Sequence, residues 1–179
     1  MDGWQRFAEL ASAPVRTTVV GRVHSAEIGV TEHVTFAPPD RWRIADGAGR
    51  LRFLADDDAW YRYDEVGTLA EFRPRSPGTW YSGMMESTTL IHPRDLLTST
   101  HDHDFTAPLG PVDEVTHLDR AALRVTLAPP AHKPRPVVQY LDLASGVTLA
   151  YTAVDGEPLI GFTEIATGVA LPPGTFRPL

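Results

Sequence analysis

The chain has 179 residues, 42% of them hydrophobic and 22% charged, with a formal net charge of −7 and no cysteine. That size suits one domain that buries roughly 70% of its unfolded surface, and no apolar run approaches the ~20 residues that cross a bilayer as a helix. The composition excludes a disulfide framework, a thiolate metal site and a cysteine nucleophile, and the negative charge argues against a nucleic-acid partner, since phosphate binding draws on excess Lys and Arg.

The first residues, Met1-Asp-Gly-Trp-Gln-Arg6, lack the basic then apolar pattern of a secretory leader, so the expectation is a cytoplasmic protein, or an exported one whose leader has been trimmed. Asp2-Gly-Trp-Gln5 has capping-box character, and Trp4, Phe7, Ala8 and Ala11 recur at helical spacing. This predicts a helix over residues 3–12, closed by Pro14. Residues 15–24 are rich in β-branched side chains, and Ile28, Val30, Val34 and Phe36 alternate after them, forming a first hairpin. Glu32 interrupts that apolar parity; it belongs either at a strand edge, the favoured reading, or inside a polar cavity.

Three short alternating segments follow, at residues 41–45, 50–55 and 59–63, separated by Pro-Pro-Asp, Asp-Gly-Ala-Gly and a triple Asp. Period 2 groups Trp42, Ile44, Leu51, Phe53 and Trp60 on one face of a meander. Arg41, Arg43, Arg50, Arg52 and Arg62 form an arginine-rich set expected largely on the other, paired with Asp56, Asp57, Asp58, Asp64 and Glu71. Residues 68–73 add a strand, so the first meander spans 15–73, and Pro74 and Pro77 end it.

Residues 78–97 differ in kind: aromatic and Met-rich, without period 2, and with His92-Pro93-Arg94-Asp95 reading as a helix start. One or two short helices are predicted between 84 and 99. Met84, Met85, Leu90, Ile91, Leu96 and Leu97 need cover, which packs this segment on the concave side of the sheet as a plug or lid. From Val112 the chain is β again, with strands at 112–118, 122–127, 136–143, 147–154 and 159–166. The turns between them include Asp119-Arg120 and Asp155-Gly156. The second meander spans 112–167, and the proline-rich end, 168–179, reads as an extended tail. The expectation is a mainly β (α+β) single domain of about ten or eleven antiparallel strands with an N-terminal helix.

The motifs Phe36-Ala-Pro-Pro-Asp-Arg-Trp-Arg-Ile44, Trp60-Tyr-Arg-Tyr63, Tyr140-Leu-Asp-Leu-Ala-Ser-Gly-Val-Thr-Leu149 and Gly161-Phe-Thr-Glu-Ile165, in this order, resemble the LolA-like superfamily. That superfamily includes outer-membrane lipoprotein carriers, RseB-type sensors and mycobacterial lipid-binding lipoproteins. The resemblance implies a strongly curved sheet forming a half-open β-barrel around a short helical plug, with an apolar cavity for acyl chains. It implies ligand contacts from Phe36, Trp42, Phe53, Trp60, Trp80, Tyr81 and Phe162, with Met84, Met85 and Leu97 on an adaptable lid; the competing reading, favoured for any single one of Trp42, Phe53, Trp60, Trp80 and Phe162, is plain core packing. The carriers also hold the lid shut with an arginine, for which Arg43 and Arg62 are nearest by position.

Other chemistry is thinly represented. His101-Asp102-His103-Asp104 offers two histidines on one face of an extended segment, a weak metal site. His92, Asp95, His101 and Tyr81 are the acid or base candidates of an alternative reading, an enzyme working on a hydrophobic small molecule in the same cavity. Lys133, the only lysine, lies in a proline-rich hairpin tip, and no Gly-rich phosphate loop or nucleophile elbow occurs. The leading expectation is non-enzymatic binding of an acyl chain, lipid or other hydrophobic small molecule, with no cofactor. A third reading has the arginine face docking an acidic protein or head group.

Overall fold

A computed structural model describes residues 2–75, 87–91, 107–129 and 135–178. Helix α1 (Gly3–Ser12) starts where the Asp2 carboxylate accepts the Gln5 N–H at 2.7 Å. Gln5 Nε2 in turn donates forward to Glu9 at 3.1 Å. Phe7 and Ala11 are buried, and Trp4 stacks on Phe7 with ring centroids 5.5 Å apart.

The first half of the chain gives β1 (Val19–Ser25), β2 (Val30–Ala37), β3 (Arg41–Asp46), β4 (Leu51–Ala55), β5 (Ala59–Tyr63) and β6 (Leu69–Pro74). After the four-residue helix α2 (Thr88–Ile91) come β7 (Asp113–His117), β8 (Arg120–Leu127), β9 (Val137–Asp142), β10 (Thr148–Ala153) and β11 (Pro158–Thr167). They make one antiparallel sheet in the order β6-β5-β4-β3-β2-β1-β11-β10-β9-β8-β7, with β6 and β7 at its unclosed ends. The β1–β11 pairing joins the two meanders.

Aspartates set the turns. Asp46 accepts the N–H groups of Ala48 and Arg50, Asp56 those of Asp58 and Ala59, and Asp64 those of Val66 and Thr68. Each carboxylate replaces a backbone acceptor at the end of its strand, which is why the meander reads so clearly from sequence. The β7–β8 turn departs from the expectation of Asp119-Arg120. It is built on Leu118 (φ 51°) and Asp119 (φ 58°), both left-handed, as a tight hairpin turn requires when its twist must match that of its strands; Arg120 already belongs to β8.

Eleven flat strands would span about 48 Å at ~4.8 Å per step, whereas a ten-residue helix is only ~15 Å long. Yet side chains from β1–β5 and β8–β11 meet α1 and α2 in a single core cluster. The sheet must therefore curl around the helices, and register shifts in β1–β11, β10–β11, β9–β10, β3–β4 and β5–β6 supply local bends. Gly21 lets β11 come close: a Cβ there would sit 2.5 Å from the Glu164 carbonyl oxygen and 2.7 Å from the Phe162 ring, which fills the vacant side-chain position.

The shift in β3–β4 overturns one expected grouping. Ile44 pairs with Phe53 but Ala45 pairs with Leu51, so Arg52 is the extra residue and Leu51 changes face. Leu51 packs with Leu54, Tyr63 and Tyr61 in a second cluster, apart from Phe53 and the main core. Residues 172–177, expected as part of an extended arm, make two consecutive turns, with Thr175 N–H bonded to the Pro172 carbonyl and Arg177 N–H to that of Gly174. This places Phe176 under the Arg41 guanidinium, 5.2 Å from ring centroid to Cζ.

Candidate functional site

The inner face of the first meander is ordered by register into two cross-strand rows. One runs Val19, Phe36, Trp42, Ala55, Trp60 and Arg73 from β1 to β6. Its neighbour runs Gly21, Val34, Ile44, Phe53, Arg62 and Glu71. Both rows are apolar or glycine as far as β4 and turn charged at the sheet's unclosed end. The Phe36 and Trp42 rings lie 4.8 Å apart and those of Phe53 and Trp60 6.3 Å apart, within the range of tilted aromatic pairing.

At the charged end, Glu71 accepts from Arg62 at 3.2 Å and from Arg73 at 2.7 Å. The Arg73 guanidinium lies 5.3 Å from the Trp60 ring centroid, so the last aromatic of the row carries a cation on its face. Arg62 and Arg73 side chains are 52% and 60% exposed, whereas Trp60 is 6% exposed. The boundary between core and solvent thus falls within this one group.

Helix α2 packs against β10, and its Leu90 and Ile91 belong to the same core cluster as the apolar rows. It is tied to the sheet through Glu32, which is 4% exposed and accepts the Ser87 N–H at 2.9 Å. Glu32 pairs with Val23 on one side and Asp46 on the other, so the expected strand edge is replaced by a buried position between two strands. Its odd polarity on an apolar face was visible in the sequence. Its partner, 55 residues away, was not. On the other half of the inner face, burial pushes the Tyr151 phenol above its usual range.

Phe36, Trp42, Phe53, Trp60 and Phe162, expected as ligand contacts, all lie in the main core cluster. The expected contacts Trp80, Tyr81, Met84, Met85 and Leu97 lie outside the described residues, as do His92, Asp95, His101, His103 and Lys133. Among the described residues no group of three or more His, Asp or Glu side chains is placed to hold a metal ion. No helix among them is long and apolar enough to cross a membrane.

The five arginines expected as one patch are divided. Arg41 and Arg43 alternate in burial with Trp42 and Ile44, on the opposite face of β3. Arg50 and Arg52 gather on Asp46, at 3.0 and 3.9 Å. The N–H of Arg50, with those of Ala48 and the guanidinium itself, outweighs desolvation and holds the Asp46 carboxyl below its usual range. Arg62 shares the inner face with Phe53 because the two are direct cross-strand partners. Parity does not carry one arginine face across the three strands. Arg73, the second cation of the inner-face group, was read only as the end of a strand.

A separate open groove of about 610 Å³ lies between the tail and the β4–β5 turn, bordered by Arg41, Asp56, Asp57, Asp58, Phe176 and Arg177 among others. Its acidic residues include Asp56, whose Oδ1 is engaged by the turn's own N–H groups.

No protein-family model matches the chain, and no curated protein does. Solved structures do. An uncharacterized conserved protein from Thermus thermophilus aligns with a TM-score of 0.56 and 11% identity over 98% of this chain and 93% of that one. A LolA superfamily protein from Nitrosomonas europaea aligns with a TM-score of 0.36 and 9% identity over 99% and 98% of the two chains. A chain of the Pseudomonas aeruginosa MucA/MucB complex aligns with a TM-score of 0.38 and 14% identity over 98% of this chain, which spans 59% of that one. At 11% identity the likeness to the Thermus thermophilus protein is one of fold alone.

Proposed function

We propose that this protein is a non-enzymatic binder of a single-chain hydrophobic ligand, held along the inner face of the open sheet. The observation that carries the proposal is the row from Val19 to Trp60, an apolar track across five strands. Four strand steps make a track of about 19 Å, against ~15 Å for one acyl chain in half of a bilayer's ~30 Å core. The buried Glu32 carboxylate ties the Ser87 N–H at the start of α2 to the inner face.

Burying about fourteen methylenes at ~0.8 kcal/mol each gives about 11 kcal/mol of gross gain, against an association cost of ~4–15 kcal/mol. Useful affinity therefore requires a track that folding has already ordered, as a sheet with interlocked aromatic rings provides. The test is native mass spectrometry of the purified protein, before and after incubation with fatty acids and phospholipids, with organic extraction of any adduct. A discrete adduct of a few hundred daltons is the expected result. An apo mass that persists with every lipid offered refutes the proposal and assigns the aromatic rows to core packing alone.

A further inference from the structure

The two inner-face rows end in the same way, and that ending specifies a head group. We propose that Arg62 and Arg73 form the binding site for the anionic head of the ligand, so that the protein selects a single-chain carboxylate over a neutral amphiphile of equal length. This rests on the apolar-ligand reading above and adds the chemistry of the ligand's other end.

Three observations converge. First, the charged group stands at the end of the apolar track: Arg73 is the cross-strand partner of Trp60, and Arg62 that of Phe53. A chain lying along Trp42 and Trp60 delivers its head to these guanidiniums. Second, the group carries surplus positive charge. Glu71 is the carboxylate bridging Arg62 at 3.2 Å and Arg73 at 2.7 Å, which leaves the trio at +1 on a protein whose formal charge is −7. A guanidinium presents five N–H donors in a planar fork that matches a carboxylate, and one contact to Glu71 does not use them up. Third, the cations sit where head and tail separate. Both side chains are about half exposed while Trp60 and Phe53 are buried, so a carboxylate can meet them without being stripped of all its water.

Isothermal titration calorimetry at pH 8 with dodecanoate and dodecanol, both at submicellar concentration, separates the head group from the chain. The wild-type protein is expected to bind dodecanoate about tenfold more tightly than dodecanol, as one charge-assisted contact provides. In Arg62→Gln/Arg73→Gln that preference is expected to fall to within about twofold, with dodecanol affinity changing less than dodecanoate affinity and thermal unfolding confirming the fold. Arg22→Gln, which removes one positive charge from β1 away from the track, is expected to keep the preference. Glu71→Gln frees both guanidiniums and is expected to tighten dodecanoate about threefold; it tests the proposal even if the double variant does not fold.

Equal wild-type affinity for the two probes, or a preference that survives the double variant, overturns the head-group site and leaves the apolar reading standing. Arginines that only guard the edge of the sheet would give that second result. Binding of neither probe removes both proposals together.

Discussion

Replacing Glu32 with alanine tests whether one buried carboxylate holds α2 on the sheet. The side chain is 4% exposed, and the Ser87 residue that donates to it is fully buried. A hydrogen bond to a charged acceptor contributes about 1.5–3 kcal/mol, and its loss leaves a buried N–H without that acceptor. Removing the carboxylate also recovers its desolvation cost, which partly offsets the loss. A net local destabilisation of about 2 kcal/mol follows, which is about a thirtyfold change in an opening equilibrium. Glu32→Gln keeps an acceptor oxygen at the same reach, and its effect is expected below about 1 kcal/mol.

Amide hydrogen exchange over residues 87–91, read by mass spectrometry, is the direct assay. Exchange about thirty times faster in Glu32→Ala, a smaller change in Glu32→Gln and little change in β5 and β6 are expected. Wild-type protection of residues 87–91 in the alanine variant would refute the reasoning. So would a glutamine variant as weak as alanine, since both lack the charge and only glutamine keeps the acceptor, which would mean that the charge, not the bond, dominates.

Three further outcomes follow from polar groups in the second meander. Arg120 donates to both oxygens of Asp142, at 2.8 and 3.0 Å, and to Thr167 at 3.0 Å, tying β8, β9 and β11 together around a carboxylate that is 1% exposed. Arg120→Ala strands that carboxylate and is expected to cost about 3–5 kcal/mol in urea unfolding, with much of it recovered in Arg120→Met/Asp142→Leu. Burial alone would raise Asp142, but the bonds and charge of Arg120 and the bonds of Ser145 prevail and hold it below its usual range. Its contribution is therefore complete above about pH 4 and lost as pH falls through the lower folded value, an acid sensitivity that Asp142→Asn should lack. His117, stacked on Tyr140 with ring centroids 4.3 Å apart, is lowered by burial. The unfolded state then takes up its proton first, so stability present above about pH 6.5 declines as pH falls below it. Chemical denaturation at pH 7.5 and 5.5 should show a drop that His117→Phe reduces; an equal drop in both proteins would refute this assignment.

Local chemistry determined much of this protein from sequence alone. Alternation and turn aspartates such as Asp46 and Asp56 located the strands, and Asp2 located the start of α1, because each acts within a few residues of itself. Three decisions belonged to tertiary structure. The extra residue at Arg52 moved Leu51 to another face, and alternation cannot register an insertion that exists only relative to a partner strand. Arg62 and Arg73 came to the end of the aromatic rows through pairing with Phe53 and Trp60, not through any motif of their own. Glu32 looked misplaced until the chain returned after 55 residues with the Ser87 N–H that satisfies it. A buried polar group is explained by its partner, and long-range partners leave no periodic trace in a sequence.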